Sequence, residues 1–347
     1  MSTPPYGPAP RFSVIVVNWN GRHLLGECLD SVLCEQDGSL EIIVVDNGST
    51  DGSKGFVADR YAGSVHLITL KENQGWAGGN NRGIEAARGE YVLLLNNDAS
   101  LEEGFCRALK EGISRYPGVD MFATRILNDY NRTQIDNAGH VIYWDGTARG
   151  RGRGRRDGPD FGEEEEVLCP SGAAGVYRRA LFGRLGPIDE DYFAYGEDTE
   201  FGLRARKAGH VCRYLPRAVV YHKYSATGGP FTPRKVYLVE RNRLWTVVKL
   251  FPWWFALLSP VFTLVRYLHG LRGLLTGKGA VGKLRESHSA RELFSAIVRA
   301  EWDAAKNVPG MLRKRRDLKK ICRMGGREFL RTLSRFHADV REVSFNE

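Results

Sequence analysis

The chain has no basic-then-apolar leader, and its first residues, Ser2 to Pro10, read as a Pro-rich disordered tail over residues 1–10. Without a secretion signal, the Asn-x-Ser/Thr strings at Asn47 and Asn131 carry no weight as glycosylation sites. No Walker motif, no His-Glu-x-x-His and no Cys-x-x-Cys occurs, which excludes a P-loop, a zincin site and a dithiol motif. The six cysteines, Cys28, Cys34, Cys106, Cys169, Cys212 and Cys322, show no ligand or framework spacing and fit a reducing cytosol. One Gly-x-Gly-x-x-Gly string, Gly277 to Gly282, follows a Leu-rich stretch, opens no βαβ unit and reads as accidental. An apolar run of spanning length is also missing. Leu250 to Val265 is uncharged but shorter than the roughly 20 residues a membrane-crossing helix needs, and it contains Pro252 and Pro260.

What is present is a repeated layout. Tyr91-Val92-Leu93-Leu94-Leu95 ends in Asn96-Asn97-Asp98, Ser13 to Val17 ends in Asn18-Trp19-Asn20-Gly21, and Glu41 to Val45 ends in Asp46-Asn47-Gly48-Ser49. Apolar runs of this length, each closed by polar residues, read as buried parallel strands. Between them His23 to Leu33, Phe56 to Tyr61 and Ala77 to Ala87 have helical spacing, and Val65 to Ile68 gives a short third strand. The order β-α-β-α-β-α-β predicts an α/β fold with a parallel sheet, where ligands bind beyond the carboxyl ends of the strands. Asn96 and Asp98, two apart on an extended chain, project to one side and suit a hard cation that keeps water and phosphate as its other ligands.

These motifs resemble those of family 2 glycosyltransferases, most of all the rhamnosyltransferase-like branch with the GT-A fold. The resemblance runs through Val14 to Asn20, Val45 to Ser53, Asn73 to Gly83, Leu94 to Asp98, Ser171 to Ala174, Gly186 to Phe193, Tyr195 to Phe201, His222 and Arg241-Asn242-Arg243, about residues 11 to 250. It implies a GT-A nucleotide-sugar-binding fold, mainly a parallel sheet between helices, over residues 11–225. It also implies a donor site at Asn18, Asn20, Asp46, Asn73, Gly78, Asn80, Asn96 and Asn97, with Asn18 and Asp46 on the base and ribose. Ser171, Gly172 and Tyr195 are the expected acceptor contacts. Ser49 and Asp51 are read instead as turn and capping residues.

Most transferases of this fold carry Asp-x-Asp where this chain has Asn96-Asn97-Asp98. The change removes one charge, so Asp98 is the better metal ligand, with His222 at the end of Val219-Val220-Tyr221 as its partner. Mg²⁺ or Mn²⁺ is expected, and imidazole favours Mn²⁺. The ion would neutralise the leaving diphosphate. Glu197-Asp198 opens a helix after Tyr192-Phe193-Ala194-Tyr195. In the family the Asp of this pair is the general base, which assigns Asp198 to proton removal and Glu197 to orienting the acceptor. In-line attack would then invert the anomeric carbon.

The formal net charge of +9 hides a segregation, because residues 1–202 are net acidic and residues 203–347 strongly basic. The run Arg149 to Arg156 superficially matches a nucleic-acid surface. Glu163 to Glu166 follow it, however, and it reads as a mobile, self-compensating loop, with no nucleic acid as partner. The basic half fits an anionic membrane surface better. Trp253 and Trp254 lie within Leu250 to Val265, and Ser287 to Arg299 and Arg313 to Arg316 read as basic amphipathic helices. The expectation for residues 226–347 is a helical, membrane-associating extension. A buried hairpin or a homo-oligomer interface is the alternative for the apolar segment. Together these readings describe a cytoplasmic enzyme held on the inner face of the cell membrane. It takes a sugar from a nucleotide-diphosphate donor, dTDP-rhamnose first and UDP-sugars next, to a glycan or polyprenyl-linked acceptor. The alternative is a sugar-nucleotide-binding or scaffolding protein of the same fold without turnover.

Overall fold

The computed structural model describes residues 10–224, 232–276 and 289–345. The tail up to Ala9, the Gly277–Gly282 string and the first residues of the expected Ser287–Arg299 helix lie outside the described residues.

The first half follows the alternation read from the sequence. Strands β1 (Phe12–Asn18), β2 (Leu40–Asp46), β3 (His66–Thr69) and β4 (Tyr91–Asn96) are separated by helices α1 (Arg22–Cys34), α2 (Ser53–Arg60) and α3 (Gly75–Ala86). Strands β1, β2 and β4 bury both faces, whereas the edge strand β3 is half exposed, and successive residues point to opposite sides. Val14 and Val16 therefore pack under α1, α2 and α4 (Phe105–Arg115), while Ile15 packs in the opposite core with Ala77 of α3. The near-continuous apolar run of a central strand is the consequence of having two cores to fill.

The sheet is mixed rather than mainly parallel. Its order is β3-β2-β1-β4-β11-β6-β12-β10, with β11 (Ala174–Arg178) antiparallel between β4 and β6 (Met121–Asn128). The strand β12 (Cys212–His222) runs parallel to β6 and antiparallel to β10 (Glu166–Val167) and β5 (Ala99–Leu101). The insertion has a functional result. An antiparallel β11 starts at the carboxyl edge of β4, with Ala174 opposite Leu95, so the Ser171–Ala173 loop runs over the strand ends. The strand β7 (Asn131–Asn137) pairs with β6, and β8 (His140–Ile142) forms a hairpin with β9 (Ala148–Gly150).

The later helices share a core with this sheet domain. Ile142, Leu168, Cys169 and Leu203 pack with Val247 and Leu250 of the helix Pro233–Leu250, with Phe251 and Phe255, and with Phe329, Leu333 and Phe336. Much of the basic excess of residues 203–347 is also turned inward. Lys249 pairs with Asp189 at 2.6 Å and Glu200 at 2.8 Å, Lys314 with Asp189 and Asp191, and Arg315 donates to Val248 O and Phe251 O. Part of the charge segregation is thus complementarity between two parts of one fold. Leu250 to Val265 divides accordingly: Leu250, Phe251 and Phe255 are core, while Trp253, Trp254, Leu257 and Leu258 are exposed. Among the described residues no helix is long and apolar enough to cross a membrane.

Arg243, Arg266, Glu240 and Asp145 form a buried ionic network that ties the helices Pro233–Leu250 and Ser259–Thr276 together. Burial alone would raise the Glu240 carboxyl, but Arg266 and Arg243 hold it down at about 2. A depressed acid contributes its full stability above its unfolded value near 4.5 and loses it as pH falls toward 2. Glu240→Gln leaves two buried guanidiniums short of an anion and should cost on the order of 3 kcal/mol at pH 7. Urea midpoints against pH check this: the gap between native and variant should be widest at neutral pH and narrow as the solution is acidified below 4.5.

Candidate active site

Three polar strand ends meet as the sequence predicts. Asn18 stands opposite Asp46, and Val17 opposite Asn96, in the β1–β2 and β1–β4 registers. Asn97 Nδ2 donates to Asn18 Oδ1 at 2.8 Å, and Asn18 Nδ2 donates to Ser49 Oγ at 3.3 Å. Asn20, left-handed at φ 52°, accepts from Thr50 N–H at 2.8 Å. Asp46 Oδ1 accepts from Ser49 N–H at 3.1 Å, while its Oδ2 is buried with no hydrogen-bond partner. An orphaned carboxylate oxygen is costly unless a donor arrives, and an imide N–H or ribose hydroxyl supplies one. Asp51 is a brace, as expected, accepting from Ser53 N–H at 3.0 Å and Arg22 N–H at 2.9 Å.

A cavity of about 420 Å³ opens beyond these ends. Of the residues singled out in the sequence, Asn96, Asn97, Asp98, Ser171, Gly172, Tyr195, Glu197, Asp198 and His222 line it. Asn18, Asn20, Asp46, Asn73, Gly78 and Asn80 do not. Asn73 Oδ1 is spent on Gly75 N–H at 2.8 Å and Asn47 Nδ2 at 3.0 Å, and Asn80 Nδ2 on Trp76 O at 2.9 Å. The latter two amides brace the loop and helix that carry Trp76, whose indole donates to Asn96 Oδ1 at 3.0 Å.

On one wall, β5 pairs with β12 so that Ala99 faces His222, and Lys223 N–H donates to Asp98 O at 2.9 Å. This brings Asp98 Oδ1 within 3.2 Å of His222 Nε2. Asn96 Nδ2 lies 3.4 Å from the same nitrogen. The other ring nitrogen, Nδ1, is 2.6 Å from Asp136 Oδ2. Burial alone would lower the imidazole, but Asp98 and Asp136 push it up to about 10. Two groups bound to adjacent positions of a six-coordinate ion at ~2.1 Å stand about 3 Å apart, so the Asp98–His222 separation fits a shared divalent cation. Asp136 would then fix the ring from behind, as carboxylates behind metal-bound histidines do. Among the described residues no set of three or more His, Cys, Asp or Glu side chains holds a metal by itself, so remaining ligands would come from substrate and water.

In the same lining, the helix Glu197–Lys207 begins with the acid pair. Asp198 Oδ2 accepts from Gly172 N–H at 2.8 Å and Oδ1 from Thr199 N–H at 2.6 Å. The fit at Gly172 is tight, because a Cβ there would stand 3.0 Å from the Trp76 ring and 3.1 Å from Asp198 Oδ2. Glu197 is fully buried with one oxygen unpartnered; burial, and then the Asp198 charge, push its carboxyl well above the usual range. The two acids thus differ in environment, Glu197 buried with an unpartnered oxygen and Asp198 hydrogen-bonded to two backbone N–H groups. The backbone leading into it is strained, with Phe193 at φ 65° and Tyr195 at φ 68°. Asn242 holds it, its Nδ2 donating to the carbonyls of Tyr192, Ala194 and Tyr195 at 2.9, 2.9 and 2.7 Å. Arg241 adds to this by donating to Asp191 O and Tyr192 O, whereas Arg243 serves the ionic network.

Several lining residues escape sequence reasoning: Asp136, His140, Arg149, Arg153, Tyr224 and Lys235. Arg149 and Arg153 belong to the run read as a mobile loop. It is instead tied down, Arg153 over the Tyr224 ring at 3.7 Å and 3.5 Å from Asp136, Arg151 against Glu165 at 2.8 Å. The acidic run does answer the basic one, as the sequence predicts, but within an ordered wall. Trp76 sat inside a recognised motif, and its aromatic face was the available signal.

A family model described as Glycosyl transferase family 2 matches residues 13–186. The N-acetylglucosaminyl-diphospho-decaprenol L-rhamnosyltransferase of Mycobacterium tuberculosis is 29% identical over 241 residues, 62% of this chain and 77% of the relative. A PGL/p-HBAD biosynthesis glycosyltransferase of Mycobacterium bovis is 29% identical over 225 residues, 64% of this chain and 79% of the relative. Among solved structures, the mannosyltransferase of Pyrobaculum calidifontis in complex with GDP-Man and Mn²⁺ aligns with a TM-score of 0.50 at 18% identity, over 87% of each chain. GalNAc-T7 with UDP, GalNAc and Mn²⁺ aligns with a TM-score of 0.53 at 17% identity, over 69% of this chain and 50% of the other. These two likenesses bear on the fold, an α/β GT-A architecture.

Proposed function

The chain belongs to glycosyl transferase family 2, and from that premise we propose an inverting, divalent-metal-dependent transferase that moves a sugar from a nucleotide diphosphate to an acceptor hydroxyl. The observation that carries it is that the Asp98–His222 pair and the hydrogen-bonded Asp198 side chain line one cavity. Asp98 and His222, with Asn96 beside them, would hold Mn²⁺ or Mg²⁺, which when bound neutralises the departing diphosphate. Asp46 takes the base or ribose on its unpartnered oxygen, and the Asn18–Asn97 bond carries that contact to the cavity edge. Trp76, Ser171, Gly172 and Tyr195 shape the floor where the sugars meet. Asp198 removes the acceptor proton, while Glu197, buried beside it with one oxygen unpartnered, orients the acceptor. Rhamnose from dTDP-rhamnose is the first donor and UDP-sugars the next, in keeping with the rhamnosyltransferase of Mycobacterium tuberculosis. A thermal-shift screen of nucleotides and nucleotide sugars with Mn²⁺ tests the donor. The largest stabilisation should come from dTDP-rhamnose, and a preference for purine nucleotides would overturn the assignment.

The acceptor side points to a lipid-linked glycan presented at a membrane, with residues 11–225 as the catalytic part and 226–347 as the surface-binding part. The helix Ala290–Lys306 buries Ala296, Ala300 and Ala304 and exposes Phe294, Val298 and Trp302. Trp253, Leu257, Val261, Leu264, Leu268 and Leu271 form a second exposed stripe at helical spacing, 73% exposed at Leu257. Helices that turn their large apolar residues outward, with Arg291, Arg299 and Arg313 nearby in sequence, match an interfacial surface. The protein should co-sediment with anionic vesicles, partly released by salt and partly salt-resistant. A Trp253→Glu/Leu257→Glu variant, altering exposed positions only, should stay in the supernatant while keeping nucleotide binding. Full-length protein that never sediments would remove the membrane role.

A further inference from the structure

His140 follows the tight turn Asp136-Asn137-Ala138-Gly139, closed by Gly139 N–H donating to Asn137 Oδ1 at 2.8 Å. Gly139 is left-handed at φ +95°, and a Cβ there would stand 2.7 Å from Val167 Cβ, so the turn tolerates no other residue. Two side chains leave it toward the site: Asp136 to His222, and His140 to Asp198. His140 N–H donates to Cys169 O at 3.0 Å, which anchors the residue.

The imidazole is placed by a chain of hydrogen bonds. Its Nδ1 is 3.2 Å from Thr199 Oγ1, and the Thr199 hydroxyl donates to Asp198 Oδ1 at 3.3 Å. In the tautomer where the Thr199 oxygen accepts from Nδ1–H and its own proton goes to the carboxylate, Nε2 keeps its lone pair. That lone pair faces Asp198 Oδ2 at 3.8 Å, beyond hydrogen-bond reach. A bare nitrogen beside an ionised carboxylate gains nothing in the resting site. It gains a strong hydrogen bond once Asp198 has taken up a proton. The other ionisable group against the ring is the Cys169 thiol, 3.6 Å from Nδ1, which burial keeps protonated.

We infer that His140 relieves Asp198 of the acceptor's proton and so resets the base in each turnover. The inference rests on Asp198 as the base. The acceptor O–H bond breaks as its oxygen bonds the anomeric carbon, and the carbon–oxygen bond to the diphosphate breaks with its electron pair leaving on the diphosphate. The proton passes to Asp198 Oδ2, then to His140 Nε2. The imidazolium, which lines the cavity, yields it to water as products leave. The net change is one proton from a hydroxyl to solvent. Because His140 acts through Asp198, it is a positioning and proton-accepting partner rather than a group that touches the sugar.

The test uses the full-length chain, with dTDP release from dTDP-rhamnose in the presence of an alkyl N-acetylglucosaminide as the readout. Asp198→Asn is run in parallel and dTDP binding serves as a control for folding. His140→Gln and His140→Ala should lower kcat on the order of 10²-fold with donor KM unchanged. Added imidazole should restore part of the turnover of His140→Ala. Native kcat in His140→Gln and no imidazole rescue of His140→Ala, with Asp198→Asn inactive, would overturn the relay and leave the base standing. An active Asp198→Asn would overturn both.

Discussion

Asp198→Asn lowers kcat on the order of 10²–10⁴-fold while donor affinity stays close to native. The amide keeps the shape of the side chain and can still accept from Gly172 N–H, so the loop over the strand ends should hold its place. What is lost is the proton acceptor. Glu197→Gln is the informative companion. Burial, and then the Asp198 charge, push the Glu197 carboxyl well above the usual range, and glutamine resembles the protonated acid in size and polarity. Its effect should therefore be small and fall mainly on acceptor KM. Steady-state kinetics on both variants decides the matter. The reverse ranking would move the base to Glu197, and two small effects would remove the acid pair from the chemistry.

Asp98→Asn abolishes turnover and removes the Mn²⁺ dependence of nucleotide binding. The reason is the charge count on that wall. With Asn96 where most members of the family carry a carboxylate, Asp98 supplies the negative charge beside His222 Nε2. His222→Ala should be less severe, since imidazole contributes a ligand and no charge. Asp136→Ala tests the group behind the ring. Loss of such a partner should weaken metal affinity about 10–100-fold, even though Asp136 would not touch the ion. Calorimetric Mn²⁺ titrations in the presence of dTDP separate the three. Native metal affinity in Asp98→Asn would end the metal assignment.

The polar strand ends of the candidate site were open to sequence reasoning because the sheet itself places them. Asn18, Asp46 and Asn96 each close an apolar run, and parallel neighbours in one sheet bring such ends together by construction. Asp98, His222 and Asp198 came from motifs whose spacing survives translation into space, and the acid pair does open a helix. The antiparallel β11 escaped because a five-residue strand has no periodicity that distinguishes its direction. Asp136 and His140 escaped for a related reason. They sit on a short turn without a motif and reach the site only through sheet pairing, 86 residues in sequence from His222 and 58 from Asp198 in effect through Thr199, one residue further on.

The basic C-terminal region shows the limit of counting charge. Lys249 and Lys314 answer Asp189, and Arg243 and Arg266 answer Glu240, so these cations are part of the fold. The signal for a surface function lies in geometry that composition hides. Small alanines face inward on the helix Ala290–Lys306 while Phe294 and Trp302 face out, at 68% and 63% exposure.

The most direct measurement is the ¹H NMR spectrum of the sugar transferred from dTDP-rhamnose to an alkyl N-acetylglucosaminide, recorded with Mn²⁺ and again with the metal chelated. A single product anomer of configuration opposite to the donor's, formed only with the ion present, is the expected result. Transfer with retention of configuration, or at full rate after chelation, would contradict an inverting reaction run between Asp198 and a metal held by Asp98 and His222.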